Sequence, residues 1–338
     1  MERFNPNGVG IRGTLFGLPY TEEEADIVVI PIPWDVTVSY GSGTANAPGA
    51  ILNASVQIDY EIPGITAPWK TKVAMVEIPE MWHNKGIQLR KKAESYINWL
   101  ERGSPEESKN EMLLATNEIN DACRQLMVYI EQETKYWLDQ GKKTILLGGD
   151  HSTPFGHISA LNAKHGAFGI LQIDAHADLR ASYEGFEYSH ASIMYNVLQQ
   201  FPISRLVQLG IRDYCQEEFD RIAPNDLHVK TFFDQHLKEE RFQGRNWHQQ
   251  CEEIVAVLPE KVYITVDIDG LRPEFCPNTG TPVPGGIDTD ELFYLFKMLK
   301  ESGREIVGAD LVEVVPGTTD WDANVGARVL WRLTQLVA

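Results

Sequence analysis

Phe168-Gly169-Ile170-Leu171-Gln172-Ile173-Asp174-Ala175-His176-Ala177-Asp178 is an apolar run that ends in three polar side chains at every second position. A strand alternates its side chains with a period of two. If the strand or its frayed end continues through residue 178, Asp174, His176 and Asp178 face one side. Two carboxylates and an imidazole there make half a metal site. The other half reads upstream as Gly148-Gly149-Asp150-His151-Ser152 and downstream as Val266-Asp267-Ile268-Asp269. Each of these stretches also follows an apolar run, Thr144–Leu147 and Lys261–Asp267, so all three fall at the carboxyl ends of expected strands.

Outward from this centre, strands are expected over 26–31, 72–78, 205–210 and 305–312. Helices are expected over about 110–140, 153–164, 192–199, 216–222, 290–301 and 322–336. The last helix but one begins with Asp288 three residues before Glu291, an Asp variant of the capping box. Residues 79–110 look less regular, with a helix near 88–100 and the polar break Arg102-Gly103-Ser104-Pro105. They are read as an insertion packed on the domain, one that could help cover the site. The loop from Trp34 to Pro48, rich in Gly, Ser and Thr, follows a strand and is placed where loops carry function. Alternation of strands and helices implies an α/β protein with a parallel sheet and helices on both faces. The chain is expected as one domain, 1–338, with an N-terminal extension over 1–25 and the insertion near 79–110. Ligands in such sheets sit at the carboxyl ends of the strands.

Composition narrows the function classes. Of 338 residues 43% are hydrophobic and 23% charged, which fits a soluble globular chain. Lysine and arginine number 30 against 48 acidic residues, a net charge of −18, so no basic face is available for nucleic acid. A small cationic substrate suits that charge, although acidic solubility alone explains it. No apolar run approaches the roughly 20 residues that span a bilayer, and Met1–Pro6 has no signal-peptide core, so a cytoplasmic protein without a membrane partner is expected. The four cysteines form no CxxC pair and are expected to be reduced thiols.

His151, Asp174, His176, Asp178, Asp267 and Asp269 offer oxygen and imidazole donors and no sulfur. Such a set suits Mn²⁺, with Ni²⁺, Co²⁺, Fe²⁺ or Zn²⁺ as alternatives. Four carboxylates crowded together repel one another unless cations intervene, and two divalent ions neutralise the set. Taken singly, Asp-Ala-His is an ordinary turn, Val-Asp-Ile-Asp a solvated strand end, and His151 a helix-start residue. Their joint occurrence at three strand ends favours the dinuclear reading. Asp150 is expected to support the ligands rather than join them.

Gly148–Ser152, Asp174–Asp178 and the run from Asp267 to Gly286 resemble the three signatures of the ureohydrolases, the family of arginase, agmatinase, guanidinobutyrase, formiminoglutamase and guanidine hydrolase. The resemblance runs from about Asp26 to the C-terminus. It implies a three-layer α/β/α fold with a mainly parallel eight-stranded sheet. It also implies two metal ions, Mn²⁺ first and Ni²⁺ as the alternative. His151, Asp174, Asp178 and Asp267 would hold one ion, and Asp174, His176, Asp267 and Asp269 the other, with Asp174 and Asp267 bridging. Asp178 counts with the catalytic residues. Glu313, in Asp310-Leu311-Val312-Glu313, matches the carboxylate that grips the guanidinium. His190, in Tyr188-Ser189-His190-Ala191, matches the histidine that gives a proton to the leaving amine. His157, His165, His228, His236 and His248 have no such context and are taken as structural. A homo-oligomer, trimer or hexamer, is implied by the resemblance only.

Residues 179–189 lack the Asn and Ser-Gly-Asn anchors that arginases use for an amino-acid head group. Leu179-Arg180, Tyr183-Glu184-Gly185 and Ser189-His190-Ala191 are similar to agmatinases. Ile193-Met194-Tyr195-Asn196 departs from the paired arginines often found there. Together with Pro33-Trp34-Asp35 and the Trp99-bearing insertion, it resembles the guanidine-hydrolase branch. Agmatine is therefore the first expected substrate and guanidine the second, ahead of guanidinobutyrate or arginine. Two rivals stand against this reading, a non-catalytic metal-binding protein on the same fold and a single-zinc deacetylase of similar architecture.

Overall fold

The computed structural model describes residues 4–222 and 228–338. The first three residues of the expected N-terminal extension lie outside the described residues. In chain order the elements are β1 (Ile27–Pro31), α1 (Ala47–Ser55), β2 (Val73–Met75), α2 (Glu80–Glu101), α3 (Lys109–Asp139), β3 (Lys143–Leu147), α4 (Pro154–His165) and β4 (Gly169–Ile173). There follow α5 (Ile193–Gln200), β5 (Arg205–Ile211), α6 (Gln216–Ile222), β6 (Val229–Phe233), α7 (Asp234–Phe242), α8 (Trp247–Ala256), β7 (Lys261–Asp267), α9 (Thr289–Glu301), β8 (Glu305–Val312) and α10 (Trp321–Val337).

One sheet of eight strands, in the order β2-β1-β3-β8-β7-β4-β5-β6, runs through the molecule. Every strand pair in it is parallel. The inner strands read as unbroken apolar runs because both faces are covered. Along β1, Ile27 and Val29 enter the core beneath α1, α9 and α10, while Val28 and Ile30 enter the core beneath α2, α3 and α4. Burial on two faces is what makes this an α/β/α sandwich.

Several boundaries differ from the sequence expectation, each for a physical reason. Residues 79–110 are not irregular, because α2 starts at Glu80 and runs to Glu101. Gly86, a poor helix former in isolation, lies under the Trp34 ring, where an added Cβ would be 3.4 Å from Cε3. Tertiary packing thus overrides propensity there. The strand expected over 72–78 is shorter because β2 is an edge strand paired with β1 over three residues only. The eighth strand, β6, was not expected from pattern, since it is the opposite edge and its Lys230 is exposed. The helices α1, α7 and α8 were missed as well. For α8 a signal was present, as Asn246 and Gln249 form a complete capping box. The box foreseen at Asp288 and Glu291 is formed with both of its hydrogen bonds. No helix among the described residues is long and apolar enough to cross a membrane.

The four central strands, β3, β8, β7 and β4, lie side by side. Their carboxyl ends deliver His151, Glu313, Asp267 with Asp269, and Asp174 to Asp178, in that order. The sheet thereby gathers residues from four distant parts of the chain at one edge.

Candidate metal centre and active site

β4 ends at Ile173, so residues 174–178 are not a continued strand. Asp174 Oδ1 instead accepts the His176 amide at 2.6 Å, closing a local turn. Asp178 adopts the left-handed region at φ 54°. Alternation is therefore the wrong reason for the shared direction of these three side chains, yet they do converge.

His151 Nδ1 is the centre of the first group. It lies 2.9 Å from Asp178 Oδ2, 3.1 Å from Asp174 Oδ2 and 3.4 Å from Asp267 Oδ2. It is buried and makes no aligned hydrogen bond with any of them. Three carboxylate oxygens gathered round one buried imidazole nitrogen make a donor set of the kind that can hold a divalent cation. His176 heads the second group, with Nδ1 3.0 Å from Asp269 Oδ2 and 3.7 Å from Asp174 Oδ1. Two sets, His151 with Asp174 and Asp267, and Asp174 with His176 and Asp269, each bring their ligand atoms within 4.8 Å of one another. Asp174 belongs to both, one oxygen to each.

Loops around the site are held by backbone contacts. The Asp150 amide donates to the Trp34 carbonyl at 2.8 Å. That approach requires Gly149, where an added Cβ would stand 1.8 Å from the Trp34 oxygen. Asp150 accepts from Ser152 and Thr37. Asp267 Oδ1 accepts the Asp269 amide, and Asp269 Oδ1 accepts the Ala175 amide, so the second and third stretches lock together.

Electrostatics follow from burial. Burial raises the Asp178 carboxyl to about 7, helped by the neighbouring Asp174. Asp267 is also raised, by burial and then by Asp269 and Asp174. For Asp174 burial acts upward too, but His151 and His176 outweigh it and hold the carboxyl low. Burial acts downward on both histidines, and the carboxylates reverse this and raise them. Without cations the cluster must hold protons to relieve its own repulsion.

Glu313, also at positive φ (62°), closes the floor. Its Oε1 accepts the His151 amide at 2.9 Å and stands 3.5 Å from His190 Nδ1. His190 Nε2 meets the Ser39 amide at 3.3 Å and the Ser39 hydroxyl at 3.1 Å. An amide can only donate, so neutral His190 carries its proton on Nδ1, facing Glu313. Burial pushes His190 down, but Glu313 more than compensates and raises it.

Ser39 was not singled out in the sequence, although its loop was. Arg90 of α2 donates to the Val36 and Val38 carbonyls and so props that loop. This is how the 79–110 stretch acts on the site. Gln172 was missed too; its side chain donates to Asp174 Oδ2 and to the His176 carbonyl. A cleft of about 190 Å³ opens over the site between Ser39, Arg180, Tyr183, Asp213 and Tyr214. Trp34 is fully buried against Trp82.

Of the histidines left without a role, His157 is fully buried, and burial lowers its pKa to about 3. An unfolded histidine titrates near 6.5. The stability from keeping His157 neutral is complete above that value and is lost as pH falls toward 3. The slope approaches about 1.4 kcal/mol per pH unit. Denaturant melts of EDTA-treated protein at pH 7 and pH 4.5 will show a smaller acid loss for His157→Gln. An identical pH dependence in the two proteins would refute this.

Residues 25–335 match the model of the arginase family. The chain belongs to the arginase family. It is an enzyme of the ureohydrolase class, in the agmatinase-like branch. An N(1)-aminopropylagmatine ureohydrolase of Thermus thermophilus is 32% identical over 302 residues, 88% of this chain and 85% of that protein. A guanidinobutyrase of Pseudomonas aeruginosa is 27% identical, covering 95% and 90%. The agmatine ureohydrolase structure from Thermoplasma volcanium superposes with a TM-score of 0.69 at 25% identity, over 94% of this chain and 92% of that one.

Proposed function

We propose that this enzyme hydrolyses the guanidinium C–N bond of agmatine, giving putrescine and urea. The observation that carries the reading is a pair of carboxylate–imidazole clusters joined at Asp174, beside a cleft lined by His176, Asp178, Asp267 and His190, with Glu313 3.5 Å from His190. His151, Asp174, Asp178 and Asp267 would hold one divalent ion, and Asp174, His176, Asp267 and Asp269 the other. Donors without sulfur support Mn²⁺, with Ni²⁺ as the alternative. Bound ions supply a water activated near neutral pH and a charge that stabilises the tetrahedral intermediate.

The chain's own residues do the rest. Glu313 pairs with the planar guanidinium and orients its carbon toward the clusters. His190, kept protonated by Glu313, gives its proton to the departing amine. The Ser39 amide orients the ring through Nε2 while the imidazole is neutral, and once Nε2 is protonated only the Ser39 hydroxyl can accept from it.

The open cleft of about 190 Å³ leaves room beside a guanidinium for a further part of a substrate. Tyr183 and Tyr214 can flank an alkyl chain, and exposed Asp213 suits a distal ammonium. Guanidine remains the second reading, because Tyr183 and Tyr214 are also the bulky aromatics that would suit a small substrate. Urea release from agmatine, guanidine, 4-guanidinobutyrate, N(1)-aminopropylagmatine and arginine, with Mn²⁺ and then Ni²⁺, decides among them. Agmatine is expected to have the highest kcat/KM and arginine the lowest. Guanidine outrunning agmatine would overturn the choice. The assembly we propose is a cytoplasmic homo-oligomer, a trimer or hexamer, which sedimentation would read.

A further inference from the structure

Beneath the first cluster a chain of buried polar side chains crosses the layer between the sheet and α4. His151 Nε2 meets Thr265 Oγ1 at 2.8 Å. The Thr265 hydroxyl donates to Asp310 Oδ1 at 2.8 Å, and the Tyr263 hydroxyl donates to Asp310 Oδ2 at 2.7 Å. His157 Nδ1 meets the Tyr263 oxygen at 2.9 Å, and His157 Nε2 meets Thr144 Oγ1 at 2.9 Å. Thr144, His157, Tyr263, Thr265 and Asp310 are each 0% exposed. Neither the ligand set nor the proton transfer uses Asp310, Tyr263 or His157.

We propose that Asp310 is a positioning residue that, through Thr265, fixes the tautomer of His151 that leaves Nδ1 free for a metal ion. This rests on the reading of His151 as a ligand. A hydroxyl has one proton to give. With the Thr265 proton committed to Asp310, the Thr265 oxygen can only accept, so the proton on the His151 ring must sit on Nε2. Nδ1 is then a lone pair directed at the space between Asp174, Asp178 and Asp267. If Asp310 could not accept, the Thr265 proton would be free to turn to Nε2. The ring proton would then move to Nδ1, where three carboxylate oxygens wait for it. That alternative is the better arrangement for an empty site and the worse one for a filled site. One buried carboxylate thus selects the metal-ready form.

The far side of the chain follows from the same count. The Tyr263 proton is committed to Asp310, so its oxygen accepts from His157 Nδ1, and His157 Nε2 accepts from Thr144. This half reverses without cost in hydrogen bonds, because Tyr263, His157 and Thr144 can each exchange donor for acceptor. It can therefore absorb a change at Asp310 that leaves an acceptor toward Thr265.

Two pairs of variants test the idea, with Mn²⁺ as the probe, in calorimetry for stoichiometry and affinity and in electron paramagnetic resonance for coupling. Asp310→Ala and Thr265→Val remove the acceptor and the link. Each is expected to weaken one of the two Mn²⁺ sites about 10–100-fold, the range seen for groups that orient a ligand. The other site keeps its affinity, and the signal of a coupled pair gives way to that of an isolated ion. Asp310→Asn is expected to restore both sites, turning its carbonyl to Thr265 and its NH₂ to Tyr263, and Thr265→Ser to restore them by keeping the hydroxyl. A defect in Asp310→Asn as large as in Asp310→Ala would overturn the proposal, making the effect one of charge. So would two Mn²⁺ ions at wild-type affinity in Asp310→Ala or Thr265→Val. Should Asp310→Ala fail to fold, the near-isosteric Thr265→Val and Thr265→Ser carry the same test. Wild-type protein that takes up fewer than two ions would instead defeat the ligand reading itself.

Discussion

Asp174→Asn is expected to leave a folded protein that cannot hold two ions, with urea production lower by at least about 10³-fold, a loss of about 4 kcal/mol of transition-state stabilisation. The cause is geometric. Oδ1 accepts the His176 amide, and Oδ2 accepts Gln172 Nε2 while facing His151 Nδ1. An amide side chain must set its NH₂ on one of these positions, and either choice opposes a donor with a donor. It also removes one of the two charges that the proposed ion sites share. Asp178→Asn is the comparison, because Asp178 approaches His151 alone. It is expected to lose the ion on the His151 side and to keep the one held by His176 and Asp269, so metal content separates the two variants. Stability separates them again from a misfolding effect. In EDTA at pH 6 the Asp178 carboxyl, raised to about 7, is largely protonated already. Asp178→Asn is then expected to melt within a few degrees of the wild type and to lose most of the gain that Mn²⁺ gives. Full activity with two ions bound in Asp174→Asn would refute the shared role.

The candidate ligands stand out in the sequence because each of their stretches closes an apolar run. A buried parallel strand has few ways to end in charged side chains unless they serve something. The inner strands β1, β3, β4, β5, β7 and β8 were legible for the same reason. What escaped was set by contacts distant in sequence. β6 is an edge strand with an exposed lysine and so lacks the continuous apolar signature. Gly86 reads as a break until Trp34 is laid over it. Ser39 and Gln172 carry no pattern of their own, and only their distances to His190 and Asp174 mark them. The turn at 174–178 is the instructive case. Strand alternation suggested the right convergence, but the structure achieves it with an aspartate-capped turn and a left-handed Asp178.

Glu313→Gln is expected to keep both ions and lose catalysis. Its carbonyl can still accept the His151 amide, so the first cluster keeps its support. The charge facing the substrate disappears. Unpairing a buried, hydrogen-bonded guanidinium costs about 3–5 kcal/mol, so kcat/KM for agmatine is expected to fall by about 10³-fold. A second effect distinguishes this from simple loss of binding. Glu313 is the main group that raises His190 against its burial. Its neutralisation lets the His190 pKa fall. A proton donor must be charged to act, so activity is lost as pH rises through that pKa. The alkaline limb of the residual kcat profile therefore moves to lower pH in Glu313→Gln. Asp174→Asn shows no such clean shift, because its defect lies in the ions. Metal analysis with a pH profile on each variant thus separates the substrate-binding role proposed for Glu313 from the metal-binding role proposed for Asp174 and Asp178. Loss of an ion in Glu313→Gln, or an alkaline limb that stays in place, would remove Glu313 from its assigned role.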